Sequence, residues 1–515
     1  MTDWSSGYVT DIQYIYGYYP ELNPLRVKLA LLHRGIVAPT IKTACELGYG
    51  QGLSVNFHAA ASGIAWAGTD FNPAQAGFAQ QLASVSGSKA QLYDQSFEEF
   101  CNRTDLPEFD YIGLHGIWSW ISDANRAMIV EFIRRKLRLG GVLYISYNTQ
   151  PGWAAMLPMR ELLIQHSEIM GSGEHGIVGK IDGALEFAEA LLNINPRFAL
   201  DNPQIVTRLK SLKNQNRNYL AHEYFNRDWQ PMSFASMQQW LSAAKIQFAC
   251  SAHYPDLVDR INLTNEQQVF LNTLPQGTLR QTVRDFCVNQ PFRRDYWIKG
   301  LRNLSPLEKR EQLTQIVVVL TESREGLIPN IVGSLGEATI QSSIYEPLLD
   351  WLADNKPRKV MQLLEKAKVH QINAAQVLQA VILLCGSGAL KIAQDDVEVQ
   401  NARIKTGALN TFLMQKARSN GEISYLASPV TGGGISVPRF DQLFLLAYQH
   451  RKQTKFITAD DLAQFAWQIL STQGQRLIKE GKTLETAEAN LTELTTSAEK
   501  FLSKHLPVYQ ALQII

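Results

Sequence analysis

The run Glu46-Leu47-Gly48-Tyr49-Gly50-Gln51-Gly52 puts an acidic side chain and three alternating glycines just ahead of a helix-like stretch. Glycines at that density let the backbone turn tightly and approach a ligand closely, and the N–H groups of the helix start point at whatever sits there. The chemistry this suits is holding a nucleotide-like cofactor. A dinucleotide fingerprint, G-x-G-x-x-G, fails: counted from Gly48 it needs a glycine at position 53, where the chain has Leu53. Asp70, in Gly68-Thr69-Asp70-Phe71-Asn72-Pro73, falls 24 positions after Glu46 at the expected end of a second strand. A carboxylate there can accept both hydroxyls of a ribose, or it can cap the helix that opens at Pro73. Asp94-Gln95-Ser96-Phe97 stands at the end of a third strand, where Ser96 and Glu99 also have capping-box spacing.

Two aromatic runs follow the next two strand candidates, Leu114-His115-Gly116-Ile117-Trp118-Ser119-Trp120 and Ser146-Tyr147-Asn148-Thr149-Gln150-Pro151-Gly152-Trp153. Both lie at carboxyl ends of strands, where open α/β sheets bind ligands. Ring faces attract cations and can clamp a lysine stem, or the same rings can pack beneath loops. His115 reads equally as a satisfied buried imidazole or as a contact to cofactor or substrate. The N-terminal run Tyr14-Ile15-Tyr16-Gly17-Tyr18-Tyr19-Pro20 is dense enough in aromatics to form a lid, with ordinary packing as the alternative for most of its members.

These residues need a scaffold, and Thr40 to Asn148 supplies the alternation of a parallel sheet with crossover helices. Strands are expected at 41–47, 64–70, 90–93, 111–115 and 142–147, with helices at 53–61, 73–84 and 125–137. Helical patterning without a clear strand runs from 156 to 229. A helix at 233–244 and a strand at 246–251 then form a sixth unit of the same sheet. Residues 264–343, with an arginine-bearing helix (279–286) and a strand candidate (315–320), are assigned to a separate middle domain. Residues 344–515 form a mostly helical C-terminal domain, whose segments at 357–365, 374–384 and 390–393 follow a winged-helix-like order.

At 515 residues with 45% apolar side chains, the chain is multidomain and globular. Its 49 basic and 48 acidic side chains give no electrostatic case for nucleic acid or an anionic membrane. Five scattered cysteines, never spaced as CxxC, argue against a disulfide framework or a zinc site, so no metal is expected and a reducing cytoplasm is the default location. No run of about 18 apolar residues occurs, so no membrane insertion is expected.

The glycine spacing with its preceding acid resembles motif I of class I methyltransferases, whose loop accommodates the methionine part of S-adenosylmethionine. Together with Tyr8-Val9-Thr10-Asp11, Tyr18 to Pro24, Asp70 to Pro73, the two aromatic runs, Tyr219 to Phe225 and Arg284 to Arg293, the chain resembles bacterial methyltransferases carrying a methyltransferase regulatory domain, among them rickettsial outer-membrane-protein lysine methyltransferases. The resemblance is close over the first 300 residues or so and looser beyond. It implies an α/β fold: a Rossmann-like class I methyltransferase domain (1–155 and 230–263) with a helical insertion (156–229), plus the middle and C-terminal domains. It implies S-adenosylmethionine as cofactor, held by Glu46, Gly48, Gly50, Gly52, Asp70, Asn72, Gln95, Ser96, Phe97 and His115. The leading activity is protein lysine N-methylation, with Tyr16, Trp118, Tyr147, Asn148 and Trp153 as substrate contacts and Asp11, His115 or Tyr147 as catalytic candidates. A protein substrate and a homodimer are the expected partners. The alternatives are a small-molecule or glycan methyltransferase and a cofactor-binding regulatory module that contacts a protein or DNA.

Overall fold

Seven strands form the central sheet: β1 Thr43–Leu47, β2 Ala65–Thr69, β3 Gln91–Tyr93, β4 Phe109–Leu114, β5 Leu137–Asn148, β6 Ile246–Ser251 and β7 Phe292–Lys299. This computed structural model describes residues 12, 14–171, 176–451 and 457–515, so Asp11 and the run from Tyr8 lie outside the described residues. The strand order is 3-2-1-4-5-7-6. The first five strands are parallel, and β7 runs antiparallel between β5 and β6. β4 is buried at all six positions, which explains its continuous apolar character.

The crossover helices begin where the chain codes for them. α1 spans Pro24–His33, α2 Leu53–Ala61, α3 Pro73–Ser86, α4 Phe97–Cys101 and α5 Asp123–Lys136. Asn72 caps α3 by accepting from the N–H groups of Ala74 and Gln75, ahead of Pro73 at the first turn. α2 is buried along its whole length, because the helix Asp396–Lys416 and the hairpin Tyr425–Ser428/Gly433–Ser436 cover its outer side.

The separate middle domain is corrected by β7. Residues 292–299 lie within the sheet, so the chain from 264 to 299 belongs to the first domain's architecture. A second boundary also moves. Val317–Leu320 is the central strand of an antiparallel three-stranded sheet, flanked by Arg358–Lys359 and Leu390–Ile392. That sheet crosses the division at 343 and supplies the strand that the winged-helix-like order lacked. Between 157 and 224 the helices Leu157–Ile169, Gly176–Asn193, Arg197–Asp201, Gln204–Lys213 and Arg217–Tyr224 share their own apolar core. Among the described residues no helix is long and apolar enough to cross a membrane, and no group of His, Cys, Asp and Glu could hold a metal ion.

Candidate active site

β1 and β2 lie in register, Leu47 opposite Thr69, so Glu46 and Asp70 rise over the same sheet edge. Between them the loop turns through left-handed backbone at Gly48 (φ +70°), Gly50 (φ +58°) and Gly52 (φ +72°). A Cβ at Gly48 would fall 2.7 Å from the Ile117 side chain, and one at Gly52 would fall 2.4 Å from Ala79 Cβ. Gly48 and Gly50 line a cavity of about 390 Å³ over the strand ends. Gly52 does not line it and instead lets α2 and α3 close upon each other.

Asp70 is fixed by two backbone donors, Gly50 N–H to Oδ2 at 2.8 Å and Asn72 N–H to Oδ1 at 3.1 Å. Burial still pushes its carboxyl up to about 7, against those two bonds. Glu46 is 3% exposed and its buried Oε2 has no hydrogen-bond partner among the described residues. Burial first, and the Asp70 charge second, hold the Glu46 carboxyl up at about 8. Two buried carboxylates, neither ion-paired among the described residues, form a site that lacks a counterpart.

Gln95, Ser96 and Phe97 line the same cavity. The capping alternative for Ser96 is also present: Glu99 N–H donates to Ser96 Oγ at 3.2 Å and Ser96 N–H to Glu99 Oε2 at 2.8 Å. His115 lines the cavity with its ring stacked on Tyr19 at 3.9 Å between centroids, while Nδ1 lies 2.7 Å from the Tyr144 hydroxyl. Burial lowers its imidazole to about 4, so it is neutral at physiological pH. Tyr14 forms another wall: its carbonyl accepts from Gln51 Nε2 at 3.2 Å and its hydroxyl donates to Glu223 Oε1 at 3.5 Å. Glu223 comes from the helical insertion, and burial pushes its carboxyl up to about 8.

Seven expected contacts are not in the cavity lining. Besides Gly52, Asn72 is spent on capping α3. Tyr16 turns away to meet Phe78 edge-on at 5.3 Å. Trp118 is fully buried and donates to Met232 Sδ, whereas Trp120, two residues on, faces the cavity. Tyr147 projects to the opposite face of β5 and donates to Asp295 Oδ2 at 3.0 Å. Asn148 is buried beside Ser119, which accepts its N–H at 2.9 Å. Trp153 packs on Trp229 and Tyr224 inside the insertion. Among the cavity residues that sequence reasoning missed are Gln51 and Phe71, both inside motifs already in view, and Arg227 and Asp228, for which no local signal exists.

Residues 216–299 match a family model described as "Predicted methyltransferase regulatory domain". The uncharacterized protein sll1526 of Synechocystis sp. is 39% identical over 516 residues, covering 99% of each chain. The uncharacterized protein RP789 of Rickettsia prowazekii is 31% identical over 156 residues, 29% of this chain and 27% of that protein. The solved structure of PKMT2 from Rickettsia typhi in complex with AdoHcy superposes with a TM-score of 0.70 at 16% identity, over 96% of this chain and 100% of that one. At that identity the likeness is one of fold, and it extends over nearly the full length of both chains.

Proposed function

This chain belongs, with sll1526 of Synechocystis, to the bacterial class I methyltransferase-fold proteins that carry a methyltransferase regulatory domain, and from that premise we propose that it is an S-adenosylmethionine-dependent methyltransferase acting on lysine side chains of protein. The observation that carries the reading is the pair of buried carboxylates at the tips of β1 and β2, one of them with an unpartnered oxygen, astride a loop whose glycines leave the floor bare. Asp70 is placed to accept ribose hydroxyls, Glu46 to receive a cationic amino group, and Phe97 and Ile117 to offer apolar walls. When bound, S-adenosylmethionine supplies an electrophilic methyl group.

Transfer of that group is an in-line displacement, so the protein's work is alignment and exclusion of water rather than nucleophilic catalysis. A lysine acceptor must first lose a proton, against a reference pKa of about 10.4. The stacked, uncharged Tyr19–His115 pair favours the neutral amine by desolvation. Glu223 Oε1, behind the Tyr14 hydroxyl, is placed to accept that proton once its carboxyl ionises, as pH rises through about 8. Lysine itself rests on the sequence resemblance to rickettsial lysine methyltransferases. His115-Gly116-Ile117-Trp118 after β4 also bears no likeness to the Asn/Asp-Pro-Pro-aromatic motif of amide and nucleic-acid methyltransferases.

The test is to incubate the full chain with methyl-labelled S-adenosylmethionine and a lysate of its source, then locate the label by mass spectrometry. Label on lysine side chains is the expected result. Label confined to the small-molecule fraction would reject the protein acceptor and leave the cofactor standing.

A further inference from the structure

The helix Thr278–Cys287 is laid down inside out. Asp285 is its buried residue, whereas Leu279 and Phe286 are 54% and 69% exposed, and Val269 and Phe270 on the preceding helix Asn265–Asn272 are exposed too. An amphipathic helix ordinarily hides such side chains. This one turns Arg280, Gln281 and Arg284 inward instead, onto a cavity of about 260 Å³ against β6 and β7. That cavity shares no lining residue with the one above Glu46 and Asp70.

Its inner end carries an ion network, and the Asp256 carboxylate, whose Oδ2 accepts from Ser251 Oγ at 2.9 Å, lines the cavity as well. Arg293 Nη1 meets Asp285 Oδ1 at 2.6 Å, Nε meets Asp295 Oδ2 at 2.9 Å, and Nη2 donates to Gln281 Oε1 at 3.2 Å. Arg284 Nη2 donates to the Asp256 carbonyl at 2.9 Å, with Nε 3.7 Å from Asp259 Oδ1. The outer end is different. Arg280 donates to the carbonyl of Leu271 and, at 3.0 Å, to Asn272 Oδ1, neither of which is charged. Arg34, at the C-terminal end of α1, lines the same cavity, and among the described residues no carboxylate pairs with it. Gln281, its Oε1 engaged by Arg293, and Gln276 both line the cavity, and among the described residues no hydrogen bond engages the amide nitrogen of either.

We propose that this cavity binds a small molecule through an oxyanion, phosphate or carboxylate, held by the guanidinium groups of Arg34 and Arg280 with the amides of Gln276 and Gln281. Guanidinium forks match the oxygens of both groups in bidentate geometry. The inward turn of the helix is then explained, because its polar face completes a ligand site. The site also stands back to back with the methyl-transfer site. Along β7, Arg293 and Asp295 face the anion cavity, while Phe292 meets the His115 ring edge-on at 6.2 Å and Arg294 Nη1 pairs with Glu21 Oε1 at 2.6 Å.

The experiment reads binding and needs no methyl transfer, so its outcome is separate from that of the activity proposed above. The full chain is melted at increasing concentrations of inorganic phosphate and, separately, of malonate, against sodium chloride at matched ionic strength. The expected result is a saturable rise in melting temperature with at least one of the two anions. The double variant Arg34→Gln/Arg280→Gln weakens that response at least tenfold and keeps its affinity for S-adenosylhomocysteine. A rise no greater than that in chloride, or one retained by the double variant, overturns the proposal. A second readout uses the unaltered protein: whichever anion raises the melting temperature should slow phenylglyoxal modification of Arg34 and Arg280, resolved by mass spectrometry, and leave Arg197, 85% exposed, unaffected. Modification of Arg34 and Arg280 at the same rate with and without that anion would also overturn it.

Discussion

At the scale of single residues the site is defined by carboxylates whose ionisation opposes their burial. Glu46 titrates at about 8 in the fold and near 4.5 when exposed, so between those values the folded chain holds a proton that the unfolded chain has lost. Its stabilising contribution is therefore complete at low pH and is lost as pH rises through about 8. Glu46→Gln should melt higher than the parent at pH 9 and close to it at pH 5, while affinity for S-adenosylhomocysteine falls about 10–100-fold, the scale of a lost hydrogen bond to a charged group. Scanning calorimetry at the two pH values and a binding titration check both halves. Tyr147→Phe makes the opposite test: it removes a donor from buried Asp295 and should destabilise by about 1–3 kcal/mol in denaturant unfolding, with cofactor affinity unchanged. Glu46, Gly48, Gly50, Asp70, Gln95 to Phe97 and His115 were legible because strand-end position and residue type agree. Tyr147 and Trp118 were not, because parity along β5 and one step in the turn Trp118–Trp120 decide which ring faces the cavity, and spacing alone carries neither.

Elements tell a similar story of local agreement and nonlocal exception. β1 to β5 and α2, α3 and α5 declare themselves through apolar runs, Pro73 at a first turn and Asn72 as cap, since each is encoded within a few residues. β7 hides because Phe292-Arg293-Arg294-Asp295 puts three charges into a buried central strand. Arg293 is neutralised by Asp285 and by Asp295 of the same strand, and Arg294 by Glu21, 273 positions away, so apolar patterning does not announce the strand. The glycine loop yields an element-scale prediction. Gly52→Ala adds a left-handed alanine and a clash with Ala79, and should cost about 2–4 kcal/mol in denaturant unfolding by loosening α2 against α3. An unchanged unfolding midpoint would mean the helices do not meet as described.

Across the whole molecule the C-terminal half serves as a wall of the first domain rather than an appendage. Tyr18 sits among Phe57, His58 and Tyr425, and its hydroxyl lies 3.2 Å from His58 Nε2, immediately before Tyr19, which stacks on His115. Gln394 Nε2 joins the halves by donating to the carbonyls of Ala61 and Pro429, each at 2.6 Å. Gln394→Ala leaves both buried acceptors unpaired and should lower stability by about 1–3 kcal/mol, read from denaturant unfolding. Such contacts span hundreds of positions, which is why the first domain was readable in the sequence and its union with the C-terminal half was not. Cofactor binding over β1 and β2 is tested most directly by isothermal titration of the full chain with S-adenosylhomocysteine, comparing the parent with Asp70→Ala. One equivalent bound by the parent, with affinity at least tenfold weaker in Asp70→Ala, is the result expected; no binding by the parent, or equal binding by both, would contradict it.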